Sequence, residues 1–324
     1  DGPPRLHGQL GHLRSDRTHP DDCHRFLSHG PKSGKGVVRD NRWVWHARPL
    51  TDDDIPAVVA MVNACELADS GEVMLEAADI VADLTHADRD RDAVVIVQNG
   101  RIVAWGLLWD ARKRWADVHP EARSQGIGTW LLRWSAWRAK QIGADRVGQS
   151  IDDRRTDVAD WFAANGYTPR YTSWVLRIAA ADIPHSAAPA TPEEHDAVLA
   201  LFEEAFSEHQ DRHPVDPARW RAMTVERDGF TPEDLIVIRE DGTVVAAAFI
   251  IDVDEIWVDK LAVAASARGR GYARDLLAAA RSRAASRGHA RVRLSTDSNT
   301  SALEVYTRLG MDVERSYTHW AVDL

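Results

Sequence analysis

Reading begins at Trp43, where Trp43-Val44-Trp45-His46-Ala47-Arg48 alternates apolar and polar residues as a half-buried strand does. Thr51 ahead of Asp52, Asp53 and Asp54 predicts a helix start. Apolar runs at 93–98 and 102–109 around Asn99-Gly100 predict a hairpin, and a further strand runs to His119. A glycine-containing loop, 123–128, opens a helix over 127–142. A strand at 146–151, a short helix at 156–165 stopped by Gly166 and a strand at 173–178 follow. Residues 179–189 are rich in Ala and Pro without a period, as a linker is.

The same order is then written again. Thr191, Pro192, Glu193 and Glu194 form a capping box that opens a helix to about His209. Strands at 235–239 and 244–252 flank Asp241-Gly242, and 255–263 leads into a second glycine loop. A long helix, a strand at 291–295, a short helix at 301–309 and a last strand at 317–324 complete the copy. Arg123 and Arg268, Gly126 and Gly271, and Val118 and Val263 are each 145 positions apart; Gly166 and Gly310 are 144 apart. Two domains are therefore expected, 43–179 and 190–324, joined by a linker at 180–189 and preceded by a leader, 1–42.

Composition narrows the classes. At 324 residues, 44% hydrophobic and 28% charged, the chain can bury two cores. A formal net charge of −10 argues against a nucleic-acid partner and favours cationic ligands such as amines. Two cysteines, Cys23 and Cys65, make no disulfide framework, and no apolar run approaches membrane-span length, so a cytoplasmic protein is expected. The leader, rich in Gly, Pro, His and Arg, is expected to be disordered. Its run Gly30 to Gly36 is one residue short of a phosphate-binding P-loop and lacks the Ser/Thr that holds magnesium. Its histidines have no zinc-ligand spacing, so no metal is expected.

Chemistry concentrates in the second copy. Leu261, Ala262 and Val263 end a strand, and Arg268, Gly269, Arg270, Gly271, Tyr272, Ala273 and Arg274 turn directly into a helix. Unpaired N–H groups, the helix dipole and glycines that admit an anion to the main chain suit a diphosphate there. Further on, Asn299, Ala302, Tyr306 and Gly310 are spaced within 299–311. The two motifs together resemble the GNAT acetyltransferase family, whose loop of the form Arg-x-x-Gly-x-Ala holds coenzyme A.

Over residues 43 to 324 the resemblance implies an α/β (α+β) architecture. It consists of two tandem GNAT folds, each a mixed, mostly antiparallel sheet of six to seven strands flanked by about four helices. It implies acetyl-CoA as cofactor, held by residues 261–263, 268–274 and Asn299, and in the first copy by Val118, Arg123, Gly126 and Gly128. Catalysis would fall to Tyr306, whose phenol can protonate the departing thiolate, and to Asp259, which guides an amine directly or through water; Asp254 and Glu255 are alternatives. A backbone N–H near Val263 could bond the tetrahedral oxygen.

The first copy keeps its loop but has Phe162 where Tyr306 stands and Arg114 where Asp259 stands, so it reads as degenerate and non-catalytic. Ten of the thirteen tryptophans lie there; Trp130, Trp134 and Trp137 share one helix face and are expected to be buried. The expected activity is acetyl-CoA-dependent N-acetyl transfer, in a ternary complex, to a primary amine of a small molecule. Amino sugars, a cysteinyl pseudodisaccharide (the substrate of mycothiol synthase-like two-domain members) and amine-bearing natural products are candidates. A non-catalytic acyl-CoA sensor or a peptide N-acetyltransferase are the alternatives. The repeat suggests a monomer whose domains form an internal pseudo-dimer, with no nucleic-acid or membrane partner.

Overall fold

The computed structural model describes residues 45–73, 77–84, 87–109, 112–207, 215–252 and 255–324. The leader with its P-loop-like run, and Trp43, Val44, His209 and Asp254, lie outside the described residues. The described chain forms two compact units, one of residues 45–170 with 318–324, the other of residues 171–317.

In the N-terminal unit, β1 (Trp45–Pro49) leads to α1 (Ile55–Ser70), α2 (Ala77–Leu84) and α3 (Arg89–Asp92). β2 (Ala93–Gln98), β3 (Arg101–Leu108) and β4 (Arg114–Val118) then form an antiparallel sheet in the order β1-β2-β3-β4. Asn99 and Gly100 both take positive φ, 50° and 76°, the requirement of a two-residue turn whose twist matches the strands; Asp241 and Gly242 repeat it at 48° and 79°. Asp54 accepts the Thr51 N–H at 2.9 Å and pairs with Arg48 at 2.6 Å, which holds its carboxyl well below the usual carboxylate range.

Alternation along β2 sends Ala93 and Val95 to the core under α1, and Val94 and Ile96 to a second core under α4 (Ile127–Gln141). Trp130 and Trp134 are buried in that second core and Trp137 packs against it. β5 (Arg146–Asp152) and α5 (Thr156–Ala164) follow.

The C-terminal unit begins within β6 (Thr168–Ala179) and continues through β7 (Ala188–Pro189), α6 (His195–Phe206), α7 (Pro217–Met223), β8 (Leu235–Glu240) and β9 (Thr243–Asp252). β10 (Ile256–Val263), α8 (Tyr272–Arg287), β11 (Arg291–Asp297), α9 (Ala302–Arg308) and β12 (Asp312–Asp323) complete the chain. Its sheet runs β6-β11-β10-β9-β8-β7. Ile236, Ile238, Ala246 and Ala248 face α8, while Leu235, Val237, Ala247 and Phe249 face α6.

Two segments depart from expectation. The linker is docked: Ile183 N–H donates to Ser282 Oγ at 2.8 Å, and β7 at its end pairs with β8 on the sheet edge, where Pro189 costs no ladder bond. Strand ends are also exchanged. Ser173–Ile178, expected to close the first copy, pairs with β11 in the C-terminal unit, and residues 318–324 join β5 in the N-terminal unit, ending in Leu324 N–H to Asp145 O at 2.8 Å. The local pattern of a strand does not encode which edge it joins.

Gly148 of β5 fits because it has no side chain. A Cβ there would stand 2.4 Å from Trp320 O and 2.6 Å from His319 Nε2. We predict that Gly148→Ala costs about 3 kcal/mol, measured by denaturant unfolding, and that the N-terminal unit loses cooperativity when 318–324 are deleted.

Candidate functional site

β10 and β11 are parallel, so their carboxyl ends lie at one edge of the sheet. That edge is where open α/β sheets bind ligands. The loop 268–274 follows β10 there, and Asn299 and α9 follow β11.

The two strands pair only at Ile256↔Val292, Trp257↔Arg293 and Val258↔Leu294, then part, although β10 runs on to Val263 and β11 to Asp297. Where they part, β10 bulges against β9: Val258 faces Ile250 and Lys260 faces Phe249, leaving Asp259 as the extra residue. The bulge reverses the strand's phase. Val258 packs in the α8-side core, and Leu261 and Val263 pack against that same core despite their odd spacing, with Ala262 on the α6 side. Asp259 is exposed and pairs with Lys260 at 2.5 Å.

The loop itself is a 3-10 turn, Ala265–Ala267, followed by Gly271 at φ 92° as the N-cap of α8. The first bond of the helix is Asp275 N–H to Gly271 O, so the N–H groups of its first turn precede any intrahelical acceptor. Arg268 and Arg274 are exposed and have no carboxylate partner among the described residues; Arg268 Nε rests 3.4 Å from Val263 O. Gly269 and Ala273 leave the approach short of side chains.

Arg270 and Tyr272, by contrast, are turned to Glu240. Arg270 Nη1 donates to its oxygens at 2.8 and 2.9 Å and the Tyr272 hydroxyl donates to it as well, which holds the Glu240 carboxyl below its usual range. These two side chains anchor the loop to the end of β8. The signal was Glu240 just before the Asp241-Gly242 turn, but only the fold brings it to position 270.

Tyr306 lies half-buried on α9, packed against the core that Leu261, Val263 and Tyr272 also flank. Loss of water around the phenol pushes its pKa up to about 12, so it is protonated at neutral pH. Asn299 is exposed in the turn before α9, its N–H bonded to Asp297 Oδ1 at 2.9 Å.

Glu255, an alternative base by sequence, stands at the opposite, amino end of β10. Arg291 and Arg293 hold it at 2.9 and 2.6 Å, and they also hold Glu314. It is a structural carboxylate.

In the N-terminal unit Gly126 caps α4 at φ 81°, the first helical bond is Trp130 N–H to Gly126 O at 3.0 Å, and Arg123 Nε reaches Val118 O at 3.2 Å as Arg268 reaches Val263 O. Here the guanidinium is neutralised by a bidentate pair with Asp69 at 2.8 and 2.9 Å.

The geometry has solved counterparts. A GCN5-related N-acetyltransferase from Sphaerobacter thermophilus is 26% identical, with a TM-score of 0.73 over 86% of this chain and 95% of that one. A tandem GNAT protein from the clavulanic acid biosynthesis pathway is 16% identical, TM-score 0.65, over 86% and 98%. Saccharomyces cerevisiae N-myristoyltransferase with bound myristoyl-CoA is 10% identical, TM-score 0.60, over 95% and 86%, and shares the fold. No curated protein matches the sequence. No helix among the described residues is long and apolar enough to cross a membrane. The acetyltransferase (GNAT) family, which generally uses acetyl-CoA, matches residues 58–167 and again 195–311, so this chain belongs to that family as a tandem of two copies and is an acyltransferase.

Proposed function

We propose that the C-terminal copy transfers an acetyl group from acetyl-CoA to a primary amine of a small molecule by direct attack in a ternary complex, and that the N-terminal copy is non-catalytic. The observation that supports this best is a half-buried phenol, its proton held by burial, after the strand that parts from β10, with a loop whose Arg268 and Arg274 have no carboxylate partner among the described residues.

The residues fit acetyl-CoA. N–H groups of the first turn of α8, with Arg268 and Arg274, suit its diphosphate. The β10 edge past Val258 suits an extended, amide-bearing arm, which adds to a sheet edge as a strand would. When bound, the thioester supplies an activated acyl carbon with a thiolate leaving group. Tyr306 then holds its proton at Oη and donates a hydrogen bond as charge grows on sulfur. A phenol near 12 is a weaker acid than a thiol near about 8.5, so stabilisation outweighs full transfer.

Asp259, pushed outward by the bulge, attracts the ammonium group of the acceptor and relays its proton to water. Its pair with Lys260 would be exchanged for the substrate amine. A backbone N–H near Val263 is the candidate donor to the tetrahedral oxygen. The net charge of −10 favours cationic acceptors such as amino sugars, a cysteinyl pseudodisaccharide or amine-bearing natural products. In the N-terminal copy Phe162 has no proton to give, and Arg114 repels an ammonium.

We predict that Tyr306→Phe lowers kcat by about 10²–10⁴ with little change in acetyl-CoA affinity, followed by free-thiol release; unaltered turnover would remove Tyr306 from the mechanism. In the wild type, kcat should not fall on approaching pH ~10, the ordinary phenol value, because burial keeps the Tyr306 proton in place beyond it. Asp259→Asn should raise KM for a cationic amine more than it lowers kcat. Glu255→Gln should leave kcat intact while lowering stability by about 1–3 kcal/mol, read from unfolding curves.

A further inference from the structure

The strands part in the N-terminal unit too, but there the gap is filled. β4 and β5 meet at the bridge Lys113↔Gly148, with Gly148 N–H bonded to Arg112 O at 2.8 Å. The next residue of β4 is Arg114, at the position of Asp259. β4 pairs with β3 without a bulge, so Arg114 keeps the phase of Ala116 and Val118, which pack toward α4. It points inward and is only 3% exposed.

Its guanidinium donates to Gln149 Oε1 at 3.0 Å, Ser135 Oγ at 2.9 Å and Tyr167 Oη at 3.0 Å, and lies 5.4 Å from the centre of the Phe162 ring. The residues standing at the two catalytic positions thus stack on each other. Gln149 completes the closure: its Nε2 donates to Ala116 O at 3.2 Å, the β4 carbonyl that faces the gap. A side-chain carboxamide occupies the acceptor that an amide-bearing arm would need.

The loop end is covered as well. Trp161 lies against Gly128, where a Cβ would meet its ring at 3.2 Å, and Arg123 is spent on Asp69, which Arg155 also pairs at 2.5 Å. In the C-terminal copy the matching positions are Ala273, the exposed Val305 and Arg268, which has no carboxylate partner among the described residues.

We propose that the acyl-carrier cleft of the N-terminal copy is closed by the chain's own side chains, Gln149 standing in for a carrier amide and Arg114 filling the thioester position. Each chain therefore binds one coenzyme A, in the C-terminal copy. This rests on the reading that the C-terminal loop binds coenzyme A, and it reverses the expectation that Val118, Arg123, Gly126 and Gly128 hold a second.

Native mass spectrometry and titration calorimetry of the full chain with coenzyme A test it. The expected result is one molecule per chain, lost by about 100-fold or more in Arg268→Glu/Arg274→Glu, a variant whose melting temperature should match the wild type because both side chains are exposed. Two molecules per chain, or one that survives this double variant, would overturn the closure. No binding by the wild type would overturn the one-per-chain stoichiometry too, and a count of zero rather than two would place the failure in the proposed role of the C-terminal loop.

Discussion

Everything at the C-terminal site depends on two parallel strands that stop pairing while both are still extended. Past Val258 and Leu294 the facing edges of β10 and β11 carry backbone groups with no strand partner among the described residues. Main-chain polar groups must find partners somewhere. An edge left open between two strands of one sheet, flanked on its α8 side by Leu261 and Val263, presents the backbone groups that a missing strand would pair. The bulge leaves Asp259 as the extra residue, exposed, next to the point where the two strands part.

The two copies share the backbone of the glycine loop and differ in its electrostatics. Both have a left-handed glycine as helix cap, and in both an arginine Nε reaches the carbonyl that ends the preceding strand. One copy answers that arginine with Asp69; the other offers no carboxylate to Arg268 among the described residues. An exposed cation without a partner costs little in water, and it can give its full attraction to an arriving anion. The same loop can therefore serve as an anion site or as a tie between helices, depending on one acidic residue more than fifty positions away in the chain.

Much of this was legible in the sequence. The repeat offset of 145, the two hairpin turns and the glycine loops are local signals, governed by φ preferences and spacing, and the structure follows them. The bulge was not legible, because Ile256 to Val263 reads as one strand and the extra residue exists only relative to β9. The anchoring of Arg270 and Tyr272 by Glu240 and the docking of the linker on α8 were missed for the same reason: each is a contact between segments distant in sequence. Comparing copies did place Arg114 and Phe162 at the positions of Asp259 and Tyr306, but their burial and mutual stacking could not be read from their identities.

The exchange of strand ends decides how β11 is held in the C-terminal unit. β11 is held by β10 over only three residue pairs, so its position along the open stretch, Ser295 to Asp297, must be fixed from the other side. That side is β6, which pairs with β11 at every residue from Arg291 to Asp297. β6 is the strand that follows Gly166 of the first copy, and without it β11 would be an edge strand free to slip or to close onto β10. Closing would pair the backbone groups of the groove and abolish it. β6 thus fixes β11 from the side away from β10, and the separation of β10 and β11 past Val258 and Leu294 rests on that pairing.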